Sequence, residues 1–324
     1  MILLRSPGDK GVFVSRDPRF ADRQQDQSPR ERLADRAKEA LEDLIASPLA
    51  PGIYLVATPI GNLADITLRA LAVLSRADTV YCEDTRHSSK LLQHYAISAK
   101  TLPFHEHNED RAISRVLAEA EGGKRVAIIS DAGTPLLSDP GFRLVREAVA
   151  RGISVTSVPG PSAVLTALTT SGLPTDAFFF AGFLPPKEAA RRTRLAEIAQ
   201  IPGSLVIFEA PHRVEEALAD MADVLGNRAA VIARELTKLH ETVARGTLRT
   251  LADQGAGRSL KGEIVIVVGP AEPQVVSDDA ISVRLDEVLG EMSLKDAAKT
   301  IASELGVPKS RVYALGVKAK DEKP

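Results

Sequence analysis

The chain has 324 residues, with 41 basic against 43 acidic side chains, so it is nearly neutral and long enough for two domains. Apolar residues make up 44% and charged residues 26%, which excludes a wholly disordered chain and a small disulfide-stapled protein. The single cysteine, Cys82, can form neither an internal disulfide nor a thiolate metal site, and no run of about 18 apolar residues occurs. We therefore expect a cytoplasmic protein with no metal site and no membrane partner.

The first 50 residues are predicted to lie outside the folded lobes. Residues 5–32 are rich in Arg, Asp, Gln and Pro and poor in aliphatic side chains, which predicts a disordered tail. Residues 30–46 repeat apolar side chains at helical spacing, and Ser47-Pro48 ends that pattern. We expect an amphipathic helix that packs on its own domain, stays in solvent or binds a partner.

From residue 53 onward, short aliphatic runs alternate with turns and helical patterns. Continuous β-branched runs predict strands covered on both faces, and the helical patterns between them predict crossovers in a largely parallel sheet. We expect an α/β protein with two lobes, 51–173 and 174–270, that meet near Gly172-Leu173-Pro174. The predicted strands are 53–57, 79–82, 125–130, 153–158, 177–183, 204–210, 229–235 and 263–269.

A small helical unit is predicted at residues 283–320, after a polar linker. Two helical patterns are separated by a turn that contains Gly306 and Pro308, which is the layout of a helix-turn-helix. The second helix of such a unit can enter a nucleic-acid groove. The pattern is equally typical of a helical hairpin that caps the second lobe or a dimer.

Three glycine-bearing turns follow predicted strands and are candidate ligand sites. Ligands of open α/β sheets bind at the carboxyl ends of strands, where these turns lie. The turns are TPIGN at 58–62, SDAGTPLLSDPG at 130–141 and VPGPSA at 158–163, and the second is longer than usual for a βα loop. No G-x-G-x-x-G or G-x-x-x-x-G-K-[ST] pattern occurs, which favours a ligand without phosphates.

Charged side chains follow the second strand in the sequence EDTRH, residues 83–87. Glu83 or Asp84 could orient a substrate or accept a proton, and Arg86 could hold an anion such as phosphate. The same side chains could instead form a buried salt bridge. The H-x-H at 105–107 could supply two metal ligands, but it lacks the spacing of a zinc motif.

The densest basic patch of the chain lies in the sequence FLPPKEAARRTR. We interpret it as a contact for RNA phosphates, with a solvated helix face as the alternative. Further charges follow later strands, at 209–213, 234–238 and 261–263, where ordinary solvated turns would look the same. The patch consists of Lys187, Arg191, Arg192 and Arg194.

These motifs, taken together, resemble the tetrapyrrole methylase superfamily over residues 52–270. The resemblance extends to those members that 2'-O-methylate a cytidine in the decoding region of bacterial 16S rRNA. The first turn departs from the G-x-G-P-G-D-like turn of tetrapyrrole-type members, which argues against a tetrapyrrole substrate. The motifs in chain order are ATPIGNLADITLRAL, EDTRH, HEHNE, SDAGTPLLSDPG, VPGPSA, GLPTDAFFFAGFLP, EAPHR, ARELTK and KGEIVIVV.

The resemblance implies a two-lobed α/β enzyme, usually a homodimer, that binds S-adenosylmethionine in the cleft between its lobes. Its partner would be 16S rRNA or the 30S subunit. Such a cofactor has no phosphate, in agreement with the missing phosphate-binding motifs. The cofactor contacts that the resemblance implies are Pro59, Gly61, Asn62, Asp131, Gly133, Thr134, Pro135, Ser138, Asp139, Gly160, Pro161, Ser162, Ala163 and Gly262.

We predict that Asp84, assisted by Arg86 and His87, takes the proton of the ribose 2'-hydroxyl. This prediction rests only on position at a strand end. A small-molecule methylase of the corrin or tetrapyrrole type and a ligand-sensing DNA-binding regulator remain alternatives. Further candidates for the catalytic group are Glu106, Glu235 and Lys238.

Overall fold

The computed structural model describes residues 28–255, 261–271, 277–290 and 292–321. Most of the predicted disordered tail, residues 1–27, lies outside these ranges. Its last residues are helical, because helix α1 (Pro29–Ala46) begins with a capping box. In that box Glu31 N donates to the Ser28 hydroxyl at 3.3 Å, and Ser28 N donates to the Glu31 carboxylate at 2.7 Å.

The first lobe is built on a five-stranded sheet, and strands alternate with helices along most of its sequence. Its elements are β1 (Gly52–Val56), α2 (Leu68–Arg76), β2 (Thr79–Cys82), α3 (Thr85–His94), β3 (Thr101–Pro103), α4 (Glu109–Glu121), β4 (Arg125–Ile129), α5 (Phe142–Ala150) and β5 (Val155–Val158). The strand order is β3-β2-β4-β1-β5, and every neighbouring pair is parallel. The short edge strand β3 was not predicted from the sequence, because it has only three residues.

Both faces of this sheet are buried, as the continuous aliphatic runs predicted. Ile53 and Val126, which are partners in register, lie in the apolar cluster on one face, and Tyr54 and Val80 lie in the cluster on the other. Because all five strands are parallel, their carboxyl ends point to one edge of the sheet, where the candidate turns lie.

The second lobe carries a sheet of different construction. Its elements are β6 (Phe178–Phe183), α7 (Glu188–Ile198), β7 (Ser204–Glu209), α8 (Val214–Leu225), β8 (Ala229–Arg234), β9 (Thr242–Thr247), α9 (Leu248–Gly255) and β10 (Ile264–Val268). The order is β6-β7-β10-β8-β9, and only the β6–β7 pair is parallel. The expectation of a largely parallel sheet is therefore wrong for this lobe, because β10 inserts antiparallel between β7 and β8.

Helix α6 (Ala163–Ser171) connects the two sheets. It follows β5 of the first sheet, but Val164 and Leu168 pack in one cluster with Val231 and Val267 of the second. Gly172 ends the helix in the left-handed conformation, with φ 78°. The predicted lobe boundary at 172–174 lies between the two sheets, and the α/β class is confirmed.

Three helices form a separate C-terminal unit around their own apolar core. They are α10 (Asp278–Val288), α11 (Leu294–Leu305) and α12 (Lys309–Asp321). The first begins five residues before the predicted start of the unit, because the Ser277 hydroxyl caps it by accepting from Ala280 N at 3.1 Å. Gly306, with φ 64°, ends α11 as predicted. Within the described ranges, no helix is long and apolar enough to cross a membrane.

Candidate active site

A cleft between the two lobes encloses a cavity of about 480 Å³. Residues 131–139, after β4, form much of one wall, and residues 208–211 and 262–265 form much of the other. Pockets for small ligands commonly measure about 300 to 1,000 Å³, so the cleft can enclose a ligand of that class.

The three predicted turns meet at this cleft through direct hydrogen bonds. Thr58 N donates to Gly133 O at 2.9 Å, and Gly133 N donates back to Thr58 O at 3.0 Å. The Thr134 hydroxyl donates to Pro161 O at 3.2 Å, which joins the second turn to the third. The turns are therefore one connected wall, although they are distant in sequence.

Two residues of this wall have a positive φ, a backbone conformation that residues other than glycine seldom adopt. Leu136 has φ 72° and Ser138 has φ 68°. Opposite them, Gly182 of β6 has φ 68°, and a Cβ there would lie 3.3 Å from the Ser138 hydroxyl. Strained backbone of this kind persists only where surrounding structure holds it, and it concentrates at binding sites.

All charged side chains that line the cleft are acidic. They are Glu83, Asp131 and Asp139 from the first lobe and Glu209 and Glu263 from the second. No lysine, arginine or histidine of the described chain lines it. Arg213 Nε lies 3.3 Å from Glu209 Oε1, and Lys238 Nζ lies 3.1 Å from Glu263 Oε2, so the net negative charge of the lining comes from the first-lobe wall. That wall favours a ligand that carries positive charge and disfavours a polyanion.

Burial and neighbouring carboxylates raise the pKa of two acidic groups of the first lobe, Asp139 and Glu83. Burial is the main cause that raises the pKa of Asp139 to about 6, and the charge of Glu83 adds to it. Glu83 is open to solvent on one side, but partial burial and then the charges of Asp131 and Glu106 raise its pKa as well. Asp139 is thus a carboxylate whose pKa lies close to neutral pH.

Asp84, the predicted proton acceptor, caps helix α3 and pairs with Arg86. Its carboxylate accepts from Arg86 N at 2.8 Å at the start of α3 and from Arg86 Nη2 at 2.8 Å. These bonds hold the pKa of Asp84 well below its usual range. A carboxylate with so low a pKa is a poor base, so Asp84 is better explained as a helix cap, and Asp139 takes its place as the candidate acceptor.

The other predicted catalytic residues lie at different distances from the cleft. His87 is exposed on α3, whereas Glu106 is near enough for its charge to raise the pKa of Glu83. Lys238 Nζ lies 2.8 Å from Glu235 Oε1 and 3.1 Å from Glu263 Oε2, a cleft residue. Glu235 and Lys238 thus support the rim of the cleft.

The Lys238 loop also contacts the first lobe at Gly61. A Cβ added at Gly61 would overlap the Lys238 stem and lie 3.1 Å from Leu236 O. Gly61→Ala is therefore expected to lower the free energy of unfolding by about 1–2 kcal/mol, through overpacking between the lobes. Urea unfolding followed by circular dichroism measures this.

The control for Gly61 is Gly290→Ala, since a Cβ at Gly290 would meet no atom within 4 Å. Equal stability of the Gly61→Ala variant and the unchanged chain would contradict the close packing of the two lobes at this turn.

Eight of the predicted cofactor contacts line the cleft, and six lie beside it. Those that line it are Asp131, Gly133, Thr134, Ser138, Asp139, Ser162, Ala163 and Gly262. The six that lie outside the lining are Pro59, Gly61, Asn62, Pro135, Gly160 and Pro161. Among these six, Pro161 is tied to the cleft because its carbonyl oxygen accepts from the Thr134 hydroxyl at 3.2 Å.

Several lining residues were missed as ligand contacts. Glu209 is buried at the end of β7, and its Oε1 accepts from Ala210 N at 2.8 Å. Phe183 and Phe208 form an aromatic pair at 5.5 Å between ring centroids, and both line the cleft. The strand-end sequence EAPHR was a usable signal for Glu209, whereas nothing local marked the two phenylalanines.

The predicted RNA patch on α7 is largely engaged within the protein. Arg191 is only 2% exposed, and its Nε donates to Asp220 Oδ2 at 2.6 Å, so it is not available to phosphate. Arg192 pairs with Asp220 and Asp223, and Arg194 pairs with Glu197. The prediction is wrong for Arg191, because helix periodicity places this side chain on the same face as the buried Leu195 and Ile198. Lys187 precedes the first turn of the helix and stays exposed.

No group of three or more histidine, cysteine, aspartate or glutamate side chains in the described residues is arranged to hold a metal ion.

Comparison with known families gives two matches. The chain matches the family Tetrapyrrole (Corrin/Porphyrin) Methylases over residues 52–252 and the RsmI C-terminal HTH domain over residues 276–320.

Solved structures with a similar fold include a cobalt precorrin-4 methyltransferase and a diphthine synthase. The first has a TM-score of 0.52 at 18% identity and covers 67% of this chain and 94% of its own. The second has a TM-score of 0.53 at 14% identity and covers 67% of this chain and 89% of its own. At such low identity these structures support the fold alone.

Curated relatives are much more similar in sequence. The protein named ribosomal RNA small subunit methyltransferase I of Mesorhizobium japonicum is 51% identical over 281 residues, covering 86% of this chain and 96% of the relative. The protein of the same name from Pseudomonas aeruginosa is 48% identical over 268 residues, covering 81% and 95%. The chain therefore belongs to the tetrapyrrole methylase family and, within it, to the ribosomal RNA small subunit methyltransferase I group.

Proposed function

We propose that this chain is an S-adenosylmethionine-dependent methyltransferase of 16S rRNA, and that it methylates the 2'-hydroxyl of a cytidine in the decoding region. Membership of the ribosomal RNA small subunit methyltransferase I group supports the enzyme class and the rRNA substrate. The cytidine and its 2'-oxygen are the finer part of the proposal, and they rest on the motif resemblance.

The observation that carries this proposal is the cluster of carboxylates on the first-lobe wall of the cleft, Glu83, Asp131 and Asp139. A methyl donor with a positively charged sulfur is attracted to such a cleft, and a neutral ribose hydroxyl enters it without charge repulsion. Tetrapyrrole precursors carry several carboxylates and would be repelled. The charge of the cleft therefore favours an RNA ribose over the small-molecule alternative.

The side chains of the cleft fit S-adenosylmethionine. Ile60, Val164 and Phe208 offer apolar surface for an adenine ring, and the hydroxyls of Thr134 and Ser138 can bond its polar groups. When bound, this cofactor supplies an electrophilic methyl group on a positively charged sulfur.

For the reaction, the chain must hold a ribose hydroxyl in line with that methyl group and receive the hydroxyl proton. We assign proton uptake to Asp139, whose carboxylate becomes a carboxylic acid as the new O–CH₃ bond forms. The charge of Glu83 acts on Asp139, and Glu83 is open to solvent on one side. Glu83 is therefore placed to pass the proton from Asp139 to solvent. Both groups lie in the cleft, whereas Asp84 does not line it.

We also propose that the enzyme works as a homodimer in the cytoplasm. Strand β6 is an edge of the second sheet, and it exposes Phe178 and Phe183. An open sheet edge with exposed aromatic side chains is a common site of self-association. Light scattering on the purified chain tests this, and a monomer at micromolar concentration would contradict it.

The function is tested by incubating the chain with methyl-labelled S-adenosylmethionine and 30S subunits that lack the modification. We expect label in the small-subunit rRNA and, after digestion to nucleosides, in 2'-O-methylcytidine. The position of the label is then mapped along the 16S sequence.

Three results would contradict parts of the proposal. Label in a base would contradict 2'-O-methylation, and label outside the decoding region would contradict the site. Label in a tetrapyrrole precursor with none in 30S subunits would favour the small-molecule alternative.

A further inference from the structure

Helix α3 presents to solvent, beside the acidic cleft, a face with an arginine, a lysine and a histidine. Arg86, Lys90 and His94 follow one another at intervals of four residues, so they form one stripe, and all three are exposed. Successive members are about 6 Å apart along the helix axis. No acidic residue occurs between Asp84 and Glu106, and Asp84, the cap residue of the helix, pairs with Arg86 at the start of the stripe.

The first turn of α3 is fixed at the edge of the cleft. Glu83, which lines the cleft, is separated from the helix only by the cap residue Asp84. Asp84 N donates to Asp131 Oδ1 at 3.1 Å, which ties the start of the helix to another lining residue. The stripe therefore begins where the acidic lining ends.

Arg86 keeps donors for a further anion despite its pairing with Asp84. The Asp84 carboxylate occupies Nε and Nη2 of Arg86, at 3.1 and 2.8 Å. The guanidinium group has five N–H donors, and the Arg86 side chain is 89% exposed. A phosphate can therefore approach the edge that Asp84 leaves open.

The charge distribution indicates that the ribose of an RNA substrate and its phosphates lie in different places, the ribose in the cleft and the phosphates outside it. The acidic cleft repels phosphates, so the backbone on both sides of a ribose that enters it must be held outside. The arginines of α7 that were predicted for this task are paired with aspartate or glutamate. On α3, Lys90 is exposed and has no ion pair among the described residues, and Arg86 keeps open donors beside the cleft.

We propose that the α3 stripe, Arg86, Lys90 and His94, binds phosphates of the substrate RNA strand next to the nucleotide that enters the cleft. This proposal rests on the proposed rRNA function. It assigns binding of the RNA backbone to the first lobe, beside the cleft, as a sequence-independent contact.

The test compares Lys90→Gln with Lys124→Gln in the full chain, using 30S methylation at several salt concentrations. Lys124 is also exposed in the first lobe, but it precedes β4 and so lies at the sheet edge opposite the cleft. For Lys90→Gln we expect KM for 30S subunits to rise about fivefold, and the slope of log affinity against log salt to become shallower by about 1. Lys124→Gln should match the unchanged chain.

Affinity for S-adenosylhomocysteine, measured by calorimetry, should be equal in all three proteins and shows that the variants are folded. Unchanged KM and salt slope in Lys90→Gln, or equal changes in both variants, would overturn the proposal for α3. If the unchanged chain itself transfers no methyl group to 30S subunits, the proposed function fails instead, so the two failures are distinguishable.

Discussion

Asp139→Asn is expected to lower the single-turnover rate of methyl transfer to 30S subunits by about 10²- to 10⁴-fold, the usual range for loss of a general base. Asp139 lines the cleft, and its pKa is raised to about 6. Its carboxylate is therefore ionised at neutral pH yet more basic than an ordinary aspartate. Asparagine keeps the shape of the side chain but cannot take a proton as a carboxylate does.

The pH dependence gives a second readout for Asp139. Only its ionised form accepts a proton, so kcat/KM should fall as the pH drops through about 6, the pKa in the free enzyme. A cationic ligand in the cleft favours the charged carboxylate, so the fall in kcat should come at lower pH than the fall in kcat/KM. The Asp139→Asn variant should lose this limb of the profile.

Asp84→Asn is the matched control, because it makes the same chemical change at a residue that directly follows Glu83 but does not line the cleft. Asparagine caps helices about as well as aspartate, so we expect the rate to change by no more than about twofold. If Asp84→Asn abolished transfer and Asp139→Asn did not, the assignment would return to Asp84. Equal binding of S-adenosylhomocysteine by both variants separates loss of chemistry from loss of the site.

The carboxylates of the cleft attract a cationic cofactor, and one of them, Asp139, also takes up the proton that the reaction releases. Methyl transfer removes the positive charge on sulfur, and proton uptake by Asp139 removes one negative charge from the cleft at the same time. The net charge within the cleft is thus unchanged by the reaction, and no uncompensated charge has to be held in a partly buried space. Glu83, open to solvent on one side, is placed to restore the ionised form of Asp139 afterwards.

The location of the site could be predicted because it follows from strand order along the chain. Parallel strands bring their carboxyl ends to one edge, so the turns after β1, β4 and β5 had to meet there. The antiparallel insertion of β10 was not predictable in this way, because aliphatic runs mark a buried strand without marking its direction or its neighbours.

The role of each carboxylate could not be read from the sequence. Asp84 and Asp139 both follow strands in polar turns, and their difference in pKa comes from contacts that only the folded chain creates. Arg86 lies beside Asp84, whereas partial burial and Glu83 act on Asp139. On α7, one basic run likewise divides into a buried and a solvent-facing set according to how the helix is rotated against α8.

Arg191→Met is expected to lower the free energy of unfolding by about 3 kcal/mol, the usual loss when one partner of a buried ion pair is removed. Methionine retains much of the side-chain bulk, so the loss comes mainly from Asp220, which is 6% exposed and keeps only Arg192 at 2.8 Å. Urea unfolding measures the change, and Arg194→Met, which removes an exposed pair with Glu197, should cost less than about 1 kcal/mol.

The double variant Arg191→Met/Asp220→Leu separates an unpaired buried charge from lost packing. If the charge is the cause, the second substitution should restore much of the stability, because apolar replacement of both partners is often neutral. KM for 30S subunits should stay unchanged in the double variant, since Arg191 is buried away from any RNA. A rise in KM with full stability would instead return Arg191 to the RNA-binding surface, and the α7 patch would then have to open when the substrate binds.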